Sequence, residues 1–318
     1  MSEPGDPARA PDAPVAPAQP AGRASGAQSG QSTLLAVQRL RRTFGDFVAV
    51  DDVSFSVGPG EVVGLLGANG AGKTTALRMA LGLLAPSSGH SVLLGQRPDR
   101  EVRRWIGYVP QGLGLYANLS VRENLAFVAD VYGRSRPELP EVLTGMRDAL
   151  VGTISLGSQR ELAFACALLH EPKLLVLDEP TSGVSALSSR DLWATIHGRA
   201  DAGVGVLVTT HNMQEAQQCD RLLLMSGGRL VGQGSEAELV AGTSAVRVEV
   251  ADWAGAFDLL SRLGLPVTLA GTSVRVAGVA LDEVAHALSA GGMAAEVSVV
   301  PATIEERMVL LNGANTPG

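Results

Sequence analysis

One short stretch constrains this chain more than any other: Gly67-Ala68-Asn69-Gly70-Ala71-Gly72-Lys73-Thr74, followed by Thr75. It fits the pattern GxxxxGK[ST] in full. The run Val62-Val63-Gly64-Leu65-Leu66 before it reads as a buried strand, and Lys73 to Leu84 after it reads as a helix. Glycines let backbone N–H groups turn inward around phosphate oxygens. The start of the helix adds roughly half a positive charge at the same point. Lys73 would reach the outer phosphates of a bound nucleotide, and the Thr74 hydroxyl would ligate Mg²⁺. A Gly-rich turn that merely starts a helix is the competing reading, and it does not require this complete pattern in this setting.

A second element lies a hundred residues on. Leu174-Leu175-Val176-Leu177 is a short apolar strand that ends in Asp178-Glu179. Its end would deliver two carboxylates to the sheet edge where ligands bind in open α/β folds. Asp178 would hold Mg²⁺, and Glu179 would accept the proton of an attacking water or orient that water. Trp105–Val109, stopped by Pro110, and Val204–Thr209 read as further strands. Short apolar strands between helical stretches predict a mostly parallel sheet covered on both faces.

Around these elements the sequence resembles the ABC transporter ATPase family, from about Leu34 to Leu239. Tyr108-Val109-Pro110-Gln111 looks like the family's Q-loop, which implies that Gln111 contacts Mg²⁺ or water and reports on a membrane subunit. Thr209-Thr210-His211 looks like the H-loop, with His211 on the γ-phosphate. Phe44 sits where the family places an aromatic ring against adenine. The family signature LSGGQ has a variant counterpart here, Ile154-Ser155-Leu156-Gly157-Ser158-Gln159. Ser155 and Gly157 match it; Leu156 and Ser158 do not. A Ser-Leu-Gly form is similar to exporter ATPases of the daunorubicin-resistance and polysaccharide-export type. Val184-Ser185 stands where the family has Leu-Asp, and the segment between Asn124 and Ser155 is short.

The resemblance implies an α/β fold: a P-loop NTPase of the ABC ATPase type over 33–241, with a helical subdomain at about 112–165. It also implies ATP and Mg²⁺ as cofactors, and a head-to-tail dimer with a second copy or a paralogue. In that dimer the Gly67–Thr74 loop of one subunit and the Ser155–Ser158 segment of the other enclose each ATP. The expected activity is ATP hydrolysis that drives export of a drug-like or other amphiphilic substrate through a separate transmembrane permease. Two alternatives stay open: a soluble, non-transport ABC ATPase, and a nucleotide-binding regulatory partner that hydrolyses poorly.

The remaining segments read more simply. Residues 1–32 are rich in Ala, Pro, Gly and Ser and read as a disordered tail. Ser235 and Glu238 have capping-box spacing. From 244 to 312 the order β-α-β-β-α-β predicts a small ferredoxin-like α+β unit, closed by a helix over Pro301–Leu311 that packs on it, with 313–318 as a tail. The net charge of −7 gives no basic footprint for nucleic acid. No apolar run reaches membrane-spanning length, and the N-terminus has no secretory pattern. Cys166 and Cys219 lack metal-ligand spacing and read as reduced thiols. The expected location is cytoplasmic, peripheral on the cytoplasmic face of the plasma membrane.

Overall fold

A computed structural model of the chain describes residues 33–135 and 137–313. The stretch 1–32, expected to be disordered, and residues 314–318 lie outside the described residues. Strands and helices are numbered in chain order.

The central sheet contains β3 (Val62–Leu66), β5 (Ile106–Val109), β6 (Leu174–Asp178), β7 (Gly205–Thr210), β8 (Arg221–Ser226) and β9 (Arg229–Gly234). Their order is β5-β6-β7-β3-β8-β9, parallel except for the β8–β9 hairpin. β3, β6 and β7 are buried along their whole length. They read as unbroken apolar runs because both faces of the sheet are covered. Val63, Leu65, Val176 and Leu207 point to one side, where they meet Ala76, Leu77 and Met79 of α1 (Lys73–Ala80). Val62, Leu175, Leu177, Val206 and Val208 point to the other. There they meet Phe164 and Ala167 of α4 (Leu156–Leu168) and Leu192, Trp193 and Ile196 of α5 (Ala186–Asp201).

The helix expected to reach Leu84 stops at Ala80. Gly82 takes φ +66°, and a Cβ there would sit 2.5 Å from the Pro98 carbonyl oxygen, so the chain turns where only glycine fits.

A second, antiparallel sheet has the order β2-β1-β4, from β1 (Leu35–Phe44), β2 (Phe47–Val57) and β4 (Ser88–Leu93). Leu35, Val37, Leu40, Val50, Val53 and Phe55 pack it onto the core around α1. α2 (Arg100–Arg103), N-capped by Asp99, leads into β5. α3 (Val121–Tyr132) opens on a full capping box from Ser120 and Glu123. With α4 it encloses a satellite core of Val121, Leu125, Leu143, Val151 and Leu162. This is the region expected to be helical, although short 3₁₀ turns fill much of the span between the two helices.

After the short α6 (Met213–Ala216) and the hairpin come α7 (Glu236–Val240), with its capping box from Ser235 and Glu238, and a third sheet. The third sheet's elements run β10 (Ser244–Glu249), α8 (Trp253–Arg262), β11 (Val267–Ala270), β12 (Ser273–Ala277), α9 (Leu281–Ala290) and β13 (Glu296–Pro301). All pairs are antiparallel, in the order β11-β12-β10-β13. Val246, Val248, Val274 and Val276 meet Ala256 and Leu260 of α8 and Val284 and Leu288 of α9.

The closing helix differs from expectation. α10 (Ile304–Gly313) begins three residues later and does not pack on the small unit alone. Ile304 and Met308 are buried with Leu66, Leu222, Leu224 and Leu239 of the larger domain. Glu306, 1% exposed, faces the other way and pairs with Arg275 of β12, with an Nη2–Oε2 distance of 3.1 Å. One helix thus covers Leu66 of β3 and Leu222 and Leu224 of β8 and ties the C-terminal sheet to them. Among the described residues no helix is long and apolar enough to cross a membrane. Both cysteines are free thiols, and burial pushes the Cys166 thiol up to about 12.

Candidate functional site

Parallel strands end at one edge of a sheet, and that is how distant segments meet here. In register, Leu66 lies opposite Thr210, Asp178 opposite Thr209, and Val109 opposite Leu177. The residues that follow these ends are Gly67–Thr75, Glu179, His211 and Gln111.

The Gly67–Gly72 loop runs from β3 into α1. A Cβ on Gly67 would lie 2.4 Å from the Met225 carbonyl, so no larger residue fits against β8. Backbone bonds tie the loop down: Gly67 N donates to Thr210 O at 3.2 Å, and Gly228 N donates to Ala71 O at 3.1 Å. Its crest, Ala68-Asn69-Gly70, is exposed. No side chain caps α1, so its first-turn N–H groups point toward the mouth of the loop. An anion there would meet these amides and the positive end of the helix.

Lys73 is buried, and its Nζ donates to Gly67 O at 2.8 Å and to Ala68 O at 3.1 Å. Burial lowers its pKa from the ordinary lysine value, and the nearby carboxylates of Glu179 and Asp178 oppose that shift. The Thr74 hydroxyl lies 3.3 and 3.4 Å from the two oxygens of Asp178. Thr209 Oγ1 donates to the same carboxylate. A hydroxyl and a buried carboxylate are hard oxygen donors of the kind Mg²⁺ takes. Among the described residues no group of three His, Cys, Asp or Glu could hold a metal by itself. Thr75 follows in the first turn of α1 and is half-buried.

Three side chains converge on Glu179. His211 Nδ1 is 3.1 Å from Oε1, Gln111 Nε2 donates to Oε2 at 3.4 Å, and Lys73 Nζ is 3.9 Å from Oε1. Glu179 adopts a left-handed backbone with φ +53°, a conformation that costs on the order of 1 kcal/mol for a residue with a side chain. Its amide donates to both the carbonyl and the hydroxyl of Thr209, each at 3.1 Å. Its carbonyl accepts from Arg160 Nη1 at 3.0 Å. The sequence gives no role to Arg160 or to the buried Thr181–Glu215 hydrogen bond, and it gives Thr209 only a place in the segment that leads to His211. Thr209 carried a signal, as the residue that ends an apolar run two positions before His211.

The structure does not bring every expected residue to this edge. Ser155 N-caps α4: its hydroxyl accepts from Ser158 N at 3.1 Å and lies 2.9 Å from Ser158 Oγ. Leu156 is exposed, and a Cβ on Gly157 would meet no atom closer than 3.9 Å. Among the described residues none of these four hydrogen-bonds to the Gly67–Thr75 loop. Phe44 ends β1 with its ring 48% exposed and the Arg42 guanidinium 4.6 Å above it. Ser185 N-caps α5 through Ser188 N, so it serves the helix start without a carboxylate.

Comparison with known proteins agrees with this geometry. Residues 50–182 match the family model described as ABC transporter. The chain is 42% identical over 221 residues to a probable multidrug ABC transporter ATP-binding protein, YbhF, of Escherichia coli (strain K12). That match covers 66% of this chain and 38% of the relative, so the chain spans well under half of that protein's length. It is 38% identical over 222 residues to the Nod factor export ATP-binding protein I of Cupriavidus metallidurans, covering 66% of this chain and 73% of the relative. The solved structure of an ATP binding subunit of an ABC transporter superposes with a TM-score of 0.61 at 28% identity. It covers 81% of this chain and all of that one. With nucleotide-loop, acid-pair and histidine segments meeting at one sheet edge, and with these relatives, the chain belongs to the ABC transporter family of ATP-binding proteins.

Proposed function

We propose that this chain is the Mg-ATP-hydrolysing subunit of an exporter-type ABC transporter. The observation that carries the reading is the convergence of His211, Gln111 and Lys73 on the Glu179 carboxylate, beside a loop whose amides suit phosphate. The loop amides and Lys73 bind and orient the phosphates, and the exposed Phe44 ring stacks on the base. Thr74, Asp178 and Gln111 would hold Mg²⁺, which when bound neutralises phosphate charge. Glu179 accepts the proton of the attacking water at its carboxylate, and His211 holds that carboxylate and the outer phosphate in line. Catalysis is then mainly positioning and charge neutralisation.

The second half of each site comes from the Ser155–Ser158 start of a partner subunit's α4, either a second copy or a paralogue. The exposure of Ser155 and Leu156 at that helix start supports this arrangement. A separate membrane permease would hold the pair at the cytoplasmic face of the plasma membrane, and the likeness to a probable multidrug ABC transporter ATP-binding protein and to a Nod factor export ATP-binding protein favours export of a drug-like or other amphiphilic cargo. The C-terminal strand order favours a ferredoxin-like appendage over 244–312, clamped to the ATPase domain (33–241) by α10.

The test is Glu179→Gln in the full chain. It should keep ATP affinity within about twofold and lose ~100-fold or more in turnover, the usual range for a lost general base. Wild-type turnover in that variant would remove the role given to Glu179.

A further inference from the structure

Arg160 is a buried cation that does not face solvent. It lies two residues past the signature segment, in the second turn of α4. A charged residue at that place in a helix normally points to water. This one is 8% exposed, and its Nη1 donates to the carbonyl of Glu179 at 3.0 Å and to that of Pro180 at 2.9 Å. Burying a guanidinium is costly unless its charge is answered. The carboxylates of Glu215 and Glu179 oppose part of that cost, but burial outweighs them and lowers the guanidinium pKa from its ordinary value.

The bonds fall at a mechanically sensitive point. Glu179 has the left-handed φ of +53° that turns its carboxylate toward His211 and Gln111. Thr209 holds the amide side of this residue, and Arg160 holds the carbonyl side. Thr209 belongs to the same rigid sheet, whereas Arg160 rides on α4, whose N-terminus is the Ser155–Ser158 segment.

We propose that Arg160 is a positioning residue for hydrolysis: it clamps the Glu179–Pro180 backbone to α4, so that the aim of the Glu179 carboxylate depends on where the signature helix sits. The proposal rests on the reading of Glu179 as the hydrolytic carboxylate. It adds that α4 acts on two sites, the partner's nucleotide through Ser155 and its own through Arg160. Closure of the subunit pair around ATP would move α4 and set Glu179 in the same motion, which links hydrolysis to assembly without a separate relay.

The test is steady-state ATPase kinetics on the full chain carrying Arg160→Lys, which keeps the charge and loses the planar fork, and Arg160→Gln. The expected result is a fall in kcat of ~10-fold or more, with KM for ATP and nucleotide affinity within about twofold, since an interaction expressed only in the transition state moves kcat. Arg160→Lys should retain more activity than Arg160→Gln. Combined with Glu179→Gln, neither change should lower turnover further, because a residue that acts only through Glu179 has nothing left to position. Unchanged kcat in a folded variant, an effect on KM alone, or additive losses in the double variant would overturn the proposal. So would failure of both single variants to fold, which would make Arg160 a scaffold residue. Full activity of Glu179→Gln alone would instead sink the underlying assignment, so the two failures are distinguishable.

Discussion

The Nδ1 atom of His211 lies 3.1 Å from Oε1 of Glu179, although thirty-one residues separate them in sequence. The contact follows from topology: β6 and β7 are parallel neighbours with Asp178 opposite Thr209, so whatever follows each strand meets at the same edge. The left-handed turn at Glu179 then directs its side chain toward the histidine.

Replacing His211 with Ala should therefore lower ATP turnover by roughly a hundredfold while leaving KM for ATP within a few-fold, the behaviour of a group that orients charge in the transition state. Steady-state hydrolysis assays with saturating Mg-ATP check this. Undiminished kcat would show that the contact is incidental.

The position of α10 makes a prediction about stability. Ile304 is 2% exposed and packs against Leu66, Leu222 and Leu224. Ile304→Ala should cost about 2–4 kcal/mol, as large-to-small core changes do. Because these neighbours belong to the nucleotide-binding sheet, the loss should appear in the melting of the ATPase domain, followed through nucleotide-dependent protection. Destabilisation confined to the C-terminal sheet would contradict the packing.

Glu306 predicts a pH dependence. Burial raises its pKa, but hydrogen bonds from Arg275 and from the Thr303 amide outweigh burial and hold it below the ordinary 4.5. A carboxylate depressed in the folded state contributes stability that is fully present above the unfolded value and lost as pH falls through the folded one. Glu306→Gln should thus be less stable than wild type by about 3 kcal/mol at pH 7, the scale of breaking a buried ion pair. The gap should narrow as pH drops below 4.5. Denaturant melts across that range test this, and a gap that widens in acid would have the wrong sign.

The site was legible because its main parts are local strings tied to strand ends. Gly67–Thr74, Asp178-Glu179, Gln111 and His211 each follow an apolar run, and parallel pairing does the rest. Less could be read where tertiary partners decide. The β2-β1-β4 sheet has register breaks along β1, which spoil the alternation that marks a strand. Arg160 looks like any solvated helix charge, and the backbone carbonyls that hold it come from a strand end nineteen residues on. The apolar positions of α10 fit either neighbour equally well in one dimension, and only the packing of Ile304 and Met308 against Leu222 and Leu224 of β8 makes the choice. The apolar residues of Leu81–Leu84 extend the helical pattern four residues past the end of α1, which the left-handed Gly82 stops.

The account stands or falls on the grip of the Gly67–Thr75 loop and Lys73 on a nucleotide's phosphates. Titration calorimetry of the folded full chain with Mg-ATP measures it directly. Saturable association is predicted, weakened ~10-fold or more by Lys73→Ala, the scale of a lost charge-assisted hydrogen bond. No heat of association with the wild-type chain, or equal affinity in Lys73→Ala, would contradict it.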